Sequence, residues 1–170
     1  DTLEKLAGLL VPAFALRRNG DLGIGDTQAV KEAIDFCAAH NTAILQLLPI
    51  NETGGDNSPY NAISSVALDP ALLTIAPDVV PGLTKEIIDS VVTPAVAASL
   101  DTNVVDYTKV KSVKLHLLGE AFSNFHHNSI WQNSAQAAEF RRFQEEQKDW
   151  LTDYTLFRTL IDANGGNPSW

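Results

Sequence analysis

The run Leu45–Pro70, LQLLPINETGGDNSPYNAISSVALDP, constrains this chain more than any other segment. It continues an almost wholly apolar stretch, Ala43–Ile50, the pattern of a strand covered on both faces as in parallel sheets. At Asn51 the apolar run stops. A loop rich in Gly, Asp and Asn follows and presents Ser58, Pro59 and Tyr60 beside small polar residues. A buried strand that delivers such a loop to one end of a sheet matches the place where α/β proteins collect ligands.

The preceding residues supply the rest of a βαβ unit. Gly8–Phe14 (GLLVPAF) reads as a short strand with a proline inside it, and Ala15–Asp26 (ALRRNGDLGIGD) as a loop. Asp26 or Thr27 then caps a helix whose apolar positions Val30, Ala33, Ile34, Cys37 and Ala38 follow the helical period. After residue 50 the simple alternation fails. Ala67–Ile75 is a short apolar piece, and Pro77–Leu100 holds three prolines with a weak helix near Thr84–Val91. Asp106–Phe125 reads as an amphipathic helix, with Val110, Val113, Leu117, Leu118, Ala121, Phe122 and Phe125 on its apolar stripe. Ser134 can cap a long helix running to about Ala163, with Phe140, Phe143, Trp150, Tyr154, Phe157 and Ile161 turned inward and Asn164-Gly165-Gly166 as its stop.

Charge narrows the partners. A net charge of −9 disfavours a nucleic-acid surface or an anionic membrane, since both require clustered Lys and Arg. No apolar run approaches the roughly 18 residues of a membrane span. Cys37 is the single cysteine, which excludes an internal disulfide framework and suits a reducing, cytoplasmic setting. The chain contains no methionine and reaches Trp170 just past a turn cluster, so the expectation is a segment of a longer polypeptide. Two parallel strands with apolar faces cannot form a stable sheet alone, and the helices from residue 106 onward cannot replace missing strands.

Several site types are weighed and set aside. The glycines of Arg17–Asp26 run G-x-x-G-x-G with no following GK[ST], unlike a phosphate loop. Ser58, Ser64 and Ser65 lack a G-x-S-x-G elbow. His126 and His127 are adjacent and point apart on a helix, so no metal is expected there. Asp56–Tyr60 (DNSPY) remains. Carbohydrate sites commonly pair a flat aromatic, which stacks on a pyranose face, with short polar groups that bond its hydroxyls. Pro59 would restrict the backbone beside Tyr60. By composition alone, the same five residues read as a surface turn.

The blocks VPAFALRRNGDLGIGD, LQLLPINETG and SPYNAISSVALDP together resemble the amylomaltases, the 4-α-glucanotransferases of glycoside hydrolase family 77. Val105–Leu118 and Phe140–Trp170 resemble that family's helical insertion, whereas Ala76–Thr102 carries no such motif. The resemblance implies an α/β fold, the start of a TIM (β/α)8 barrel. Residues 1–75 would supply its first two strands and substrate loop, and residues 76–170 a mostly helical insertion ahead of strand three. It implies transfer of α-1,4-glucan segments between maltodextrins by a retaining mechanism, with no cofactor. The expected partners are a maltodextrin or other α-glucan and the remainder of the barrel. Tyr60 would line a glucosyl subsite beside the scissile bond, with Ser58 near the acid/base carboxylate and Asp56 and Pro59 adjoining. The family's catalytic carboxylates follow later strands, so no catalytic residue is expected in this segment. Gly54, Gly55 and Asp56 stand where some relatives carry an aromatic of a second glucan site, so the resemblance does not extend to such a site. The alternatives are a related α-glucan hydrolase and a non-catalytic glucan-binding module.

Overall fold

The computed structural model describes residues 5–130 and 133–166. Two compact units divide the chain, Asp1–Asn124 and Phe125–Trp170. In the first, β1 (Gly8–Leu10) pairs in parallel with β2 (Ile44–Gln46), in the register Gly8↔Ile44, Leu9↔Leu45 and Leu10↔Gln46. Helix α1 (Thr27–Ala39) connects them, which completes the βαβ unit expected from the sequence. Both strands are shorter than their apolar runs suggest. β1 gives way to a 3-10 turn at Ala13–Ala15 just after Pro12, which has no N–H to offer a ladder.

The GIGD loop positions α1. Asp26 accepts a hydrogen bond from Ala29 N at 2.9 Å, the N-cap expected from the sequence. Gly25 donates to Phe14 O at 2.9 Å, and a Cβ there would stand 2.1 Å from Ala13 O and 2.6 Å from Leu16 O. Those are backbone atoms with little room to retreat, so the close approach requires glycine.

Beyond the loop that follows β2 come a 3-10 turn at Pro70–Leu72, α2 (Lys85–Val91) and α3 (Pro94–Leu100). Thr84 and Thr93 cap the two short helices, accepting from Ile87 N and Val96 N. The long helix α4 (Tyr107–Phe125) supplies the centre of the core. Its Val110 packs with Ile24, Ala71 and Leu100, and its Leu117 and Ala121 pack with Val80 and Leu83. Each large apolar side chain buried here contributes about 1.5–3 kcal/mol.

Lys114 shares the buried face of α4. Its Nζ donates to Ala71 O and Leu73 O at 2.6 and 2.8 Å, carbonyls at the end of the Pro70–Leu72 turn. Burial lowers its pKa to about 8, partly offset by Asp26 and Asp21. Thr74, also buried, exchanges hydrogen bonds with Thr27 and takes one from Gln28 N, locking residues 70–74 to the start of α1.

The core therefore lies on α4 and away from the strands, contrary to the two-face burial expected of Ala43–Ile50. Leu9, Leu10, Ile44 and Ile50 are exposed, as are Ile34 and Phe36 on α1. An open, mainly apolar hollow of ≈ 450 Å³ lies against β1, β2 and α1, lined by Leu9, Leu45, Ala33 and Phe36 among others. Phe122 is likewise exposed rather than part of the α4 stripe.

In the second unit a π-helical turn, His126–Ile130, precedes α5 (Ala135–Glu146) and α6 (Lys148–Ala163). Ser134 caps α5 by accepting from Ala137 N. The expected single helix breaks at Gln147, whose side chain accepts from Trp150 Nε1 at 2.8 Å. Phe125 and Phe140 meet edge to face, and Ala137 and Ile161 are buried, but Phe143 is exposed. Gly165 and Gly166 adopt left-handed backbone, and Gly166 N donates to Ile161 O, closing α6 at the stop signal. Among the described residues, no helix is long and apolar enough to cross a membrane.

Candidate functional site

The loop after β2 is an irregular hairpin. Bridges join Asn51 to Leu68 and Thr53 to Ala62, and Glu52 N donates to Ala67 O while Ile63 N donates to Glu52 O. Its tip is the Asp56–Tyr60 segment singled out in the sequence. Asp56 Oδ1 accepts from Ser58 N at 3.1 Å, and Asp56 Oδ2 accepts from Asn61 Nδ2 at 2.9 Å. Hydrogen bonds from Asn61 and Ser58 hold the Asp56 carboxyl below its ordinary pKa. Tyr60 N donates to Ser58 Oγ at 3.4 Å, a long bond. Asn57 stands in the left-handed region at φ 54°, a conformation that asparagine tolerates better than most residues.

The structure thus brings Asp56, Ser58 and Tyr60 into one hydrogen-bonded turn. Tyr60 is 76% exposed, so its ring offers both an apolar face and a phenolic hydroxyl to a ligand. Pro59 points to a different neighbourhood. With Asn57 and Thr53 it lines a small cleft whose other wall includes Phe14, Ile24 and Tyr107. Residues that follow β1 and β2 therefore meet on one side of the molecule, as parallel strands require. Phe14 and Tyr107 pack edge to face there, with ring centroids 6.1 Å apart. A neighbouring open cleft of ≈ 350 Å³ extends past them along Arg17 and Asn103–Val105.

The two arginines of the first loop are committed within the chain. Arg17 makes a two-pronged contact with Asp21 at 2.7 and 2.9 Å and donates to Thr102 O. Arg18 forks onto both oxygens of Asp26. Burial by itself would raise the Asp26 carboxyl, but Arg18 and the Ala29 N–H outweigh it and hold it below its ordinary value. The glycine loop thus closes on α1 through Asp26.

Three residues that sequence reading passed over, Thr53, Asp69 and Lys111, brace the tip. Asp69 caps the Pro70–Leu72 turn through Ala71 N and also accepts from Thr53 N and Thr53 Oγ1, at 3.1 and 2.9 Å. Lys111 of α4 donates to Thr53 Oγ1 and Asn57 Oδ1, and its Nζ lies 3.8 Å from Asp69 Oδ2. Asp69 followed by Pro70 is a legible cap signal. Nothing near Lys111 in the sequence announces a partner more than 50 residues earlier. His126 and His127 are exposed, and among the described residues no three His, Cys, Asp or Glu side chains converge as a metal site.

These features define an α/β protein with a braced, aromatic-tipped loop. Residues 11–170 match the family model described as 4-alpha-glucanotransferase, and the chain belongs to that family. It is similar to the 4-alpha-glucanotransferase of Chlamydia pneumoniae, 33% identical over 95% of this chain and 30% of that protein. The Synechocystis enzyme of the same name is 34% identical over 96% of this chain and 30% of its own length. That of Thermus thermophilus is 28% identical over 98% of this chain and 31% of its own length. The chain spans about 30% of the length of these three relatives.

Proposed function

We propose that this chain forms part of a 4-α-glucanotransferase and contributes one wall of its donor subsite, with Tyr60, Ser58 and Asp56 facing the glucan and Pro59 in the adjoining cleft. The observation that carries this reading is the exposed Tyr60 on a hydrogen-bonded turn, in a chain that belongs to the 4-alpha-glucanotransferase family. A tyrosine ring stacks on the apolar face of a glucosyl unit, while Ser58 and Asp56 address its hydroxyls. Residues 1–75 are the first two units of a (β/α)8 barrel and residues 76–170 its helical insertion. Parallel β1 and β2 and the bare apolar surface of Leu9, Leu10, Ile44 and Phe36 support a barrel remainder that covers them.

The bond-breaking carboxylates belong to that remainder. One attacks the anomeric carbon as the other protonates the leaving oxygen, and a sugar hydroxyl then takes the place of water in the second step. The substrate class is maltodextrin or another α-1,4-glucan, and no nucleic acid or membrane takes part. A cytoplasmic setting accords with the lone buried Cys37.

Replacing Tyr60 with Ala in the full-length enzyme should lower kcat/KM on maltodextrins by the equivalent of about 1–3 kcal/mol, the scale of one stacking or hydrogen-bonding contact. An unchanged kcat/KM would remove Tyr60 from the site. Maltotriose should yield longer oligomers as well as glucose. Glucose and maltose alone would indicate a hydrolase.

A further inference from the structure

The turn that carries Tyr60 is closed by its own backbone bonds, Gly54 N to Asn61 O, Asn57 N to Gly54 O and Asn61 N to Ser58 O. Gly54 and Gly55 lead into it, and a Cβ added at Gly55 would meet nothing within 4 Å. The bonds between Asp56, Ser58, Tyr60 and Asn61 shape the turn internally without tying it to the body of the fold. Beyond the hairpin's own legs, a side-chain tie to the body of the fold comes from α4. There Lys111 Nζ donates to Asn57 Oδ1 at 2.9 Å, to the residue that immediately precedes Ser58 and holds left-handed backbone. The same ammonium donates to Thr53 Oγ1 at 3.1 Å, ahead of the glycines, and faces Asp69. Thr53 and Asp69 are themselves joined, and Asp69 caps the turn whose carbonyls Lys114 holds one helical turn further along α4. One cation thus joins the residues on either side of Gly54–Gly55 to a helix with a buried core face.

We infer that Lys111 is a positioning residue for glucan recognition, acting through Asn57 on the Ser58–Pro59–Tyr60 tip. The inference rests on the reading of Tyr60 as a glucosyl contact. A lysine suits the task because its three donors can reach separate acceptors from one point. Its partly buried setting also makes the attraction to Asp69 stronger than at an open surface. Without the tie, the tip would sample positions away from the sugar, and misplacement on the ångström scale is enough to lose much of a catalytic advantage.

The test is a double-mutant cycle in the full-length enzyme, read as kcat/KM on maltotriose. Lys111→Met should reduce kcat/KM by roughly 10-fold in the wild-type background and change it little in the Tyr60→Ala background, because coupled residues fail to add. Asn57→Gly keeps the left-handed backbone while removing the acceptor, and should behave like Lys111→Met. Asn57→Asp retains an acceptor and should recover most of the loss seen with Asn57→Gly. If Lys111→Met does not fold, the Asn57 pair carries the same cycle. Equal losses in both backgrounds would mean that Lys111 only supports the fold, and would overturn this inference while leaving the glucan reading intact. A Tyr60→Ala enzyme with undiminished kcat/KM would overturn the glucan reading itself, and this inference with it.

Discussion

At the residue scale, Lys114 has the most testable chemistry. A charged ammonium is buried on the apolar face of α4, held by two carbonyls, with a pKa lowered to about 8 by burial. Below about pH 8 the lysine is protonated in both folded and unfolded chains, and the burial penalty is fully present. Between about 8 and the ordinary value of 10.5 the unfolded chain holds the proton that the folded chain has released. Stability therefore climbs with pH in that window, with a limiting slope of about 1.4 kcal/mol per pH unit. Tyr107 acts in the opposite sense. Burial and Asp69 raise its pKa above 10, so the folded chain keeps its proton longer, and stability declines as pH rises beyond that point. Denaturant unfolding measured from pH 7.5 to 9.5 should show the rise in wild type and lose it in Lys114→Met. The same slope in both would assign the rise to another group.

At the element scale, α1 depends on its first residues more than on its apolar face. Ile34 and Phe36 are exposed, and burial along the helix is confined to Ala29 and Cys37. Asp26 caps the helix and receives the Arg18 fork, so one side chain joins the first loop to the βαβ crossover. Asp26→Ala should cost roughly 2 kcal/mol, about 1 from the cap and the rest from the ion pair left open at Arg18. Asp26→Asn keeps an acceptor for Ala29 N and should cost less. Equal shifts in thermal melts of the two variants would show that the cap contributes nothing. Because the Asp26 pKa is lowered, its contribution is present above the ordinary value of 3.8 and is lost as pH falls through the folded value beneath it.

At the scale of the whole molecule, the bare sheet is the defining feature. Leu10 is 62% exposed, and Leu9, Ile44 and Phe36 are about half exposed. Surfaces of this kind mark an interface or an aggregation liability. Produced alone, the 170-residue chain should bind a hydrophobic dye and, on the proposal that the catalytic carboxylates lie outside it, should not disproportionate maltotriose. Leu10→Asp should improve the solubility of the chain alone with little change in its stability. In the full-length protein the same substitution should lower the melting temperature, by an amount equivalent to about 2–3 kcal/mol or more, if barrel strands cover that face. An unchanged melting temperature would mean that the face stays open, and the barrel reading would fail.

Local chemistry was legible in the sequence. Asp26 and Ser134 announced helix starts and the Asn164-Gly165-Gly166 run a stop, because capping and left-handed backbone involve residues only a few positions apart. The parallel pairing of β1 with β2 followed from a strand–helix–strand run, since a crossover of that length permits it. The turn around Asp56, Ser58 and Tyr60 was likewise written in one pentapeptide. Tertiary structure alone decided what those pieces meet. Apolar period does not say which faces find partners, so Ala43–Ile50 looked buried while the core formed on α4, and Phe122 and Phe143 looked inward while they face solvent. Nor does a lysine carry any local mark of its acceptor. Lys111 and Lys114 reach residues 53, 57, 71 and 73 because helix packing brings them within 3.1 Å, and that juxtaposition belongs to the folded chain rather than to any stretch of it.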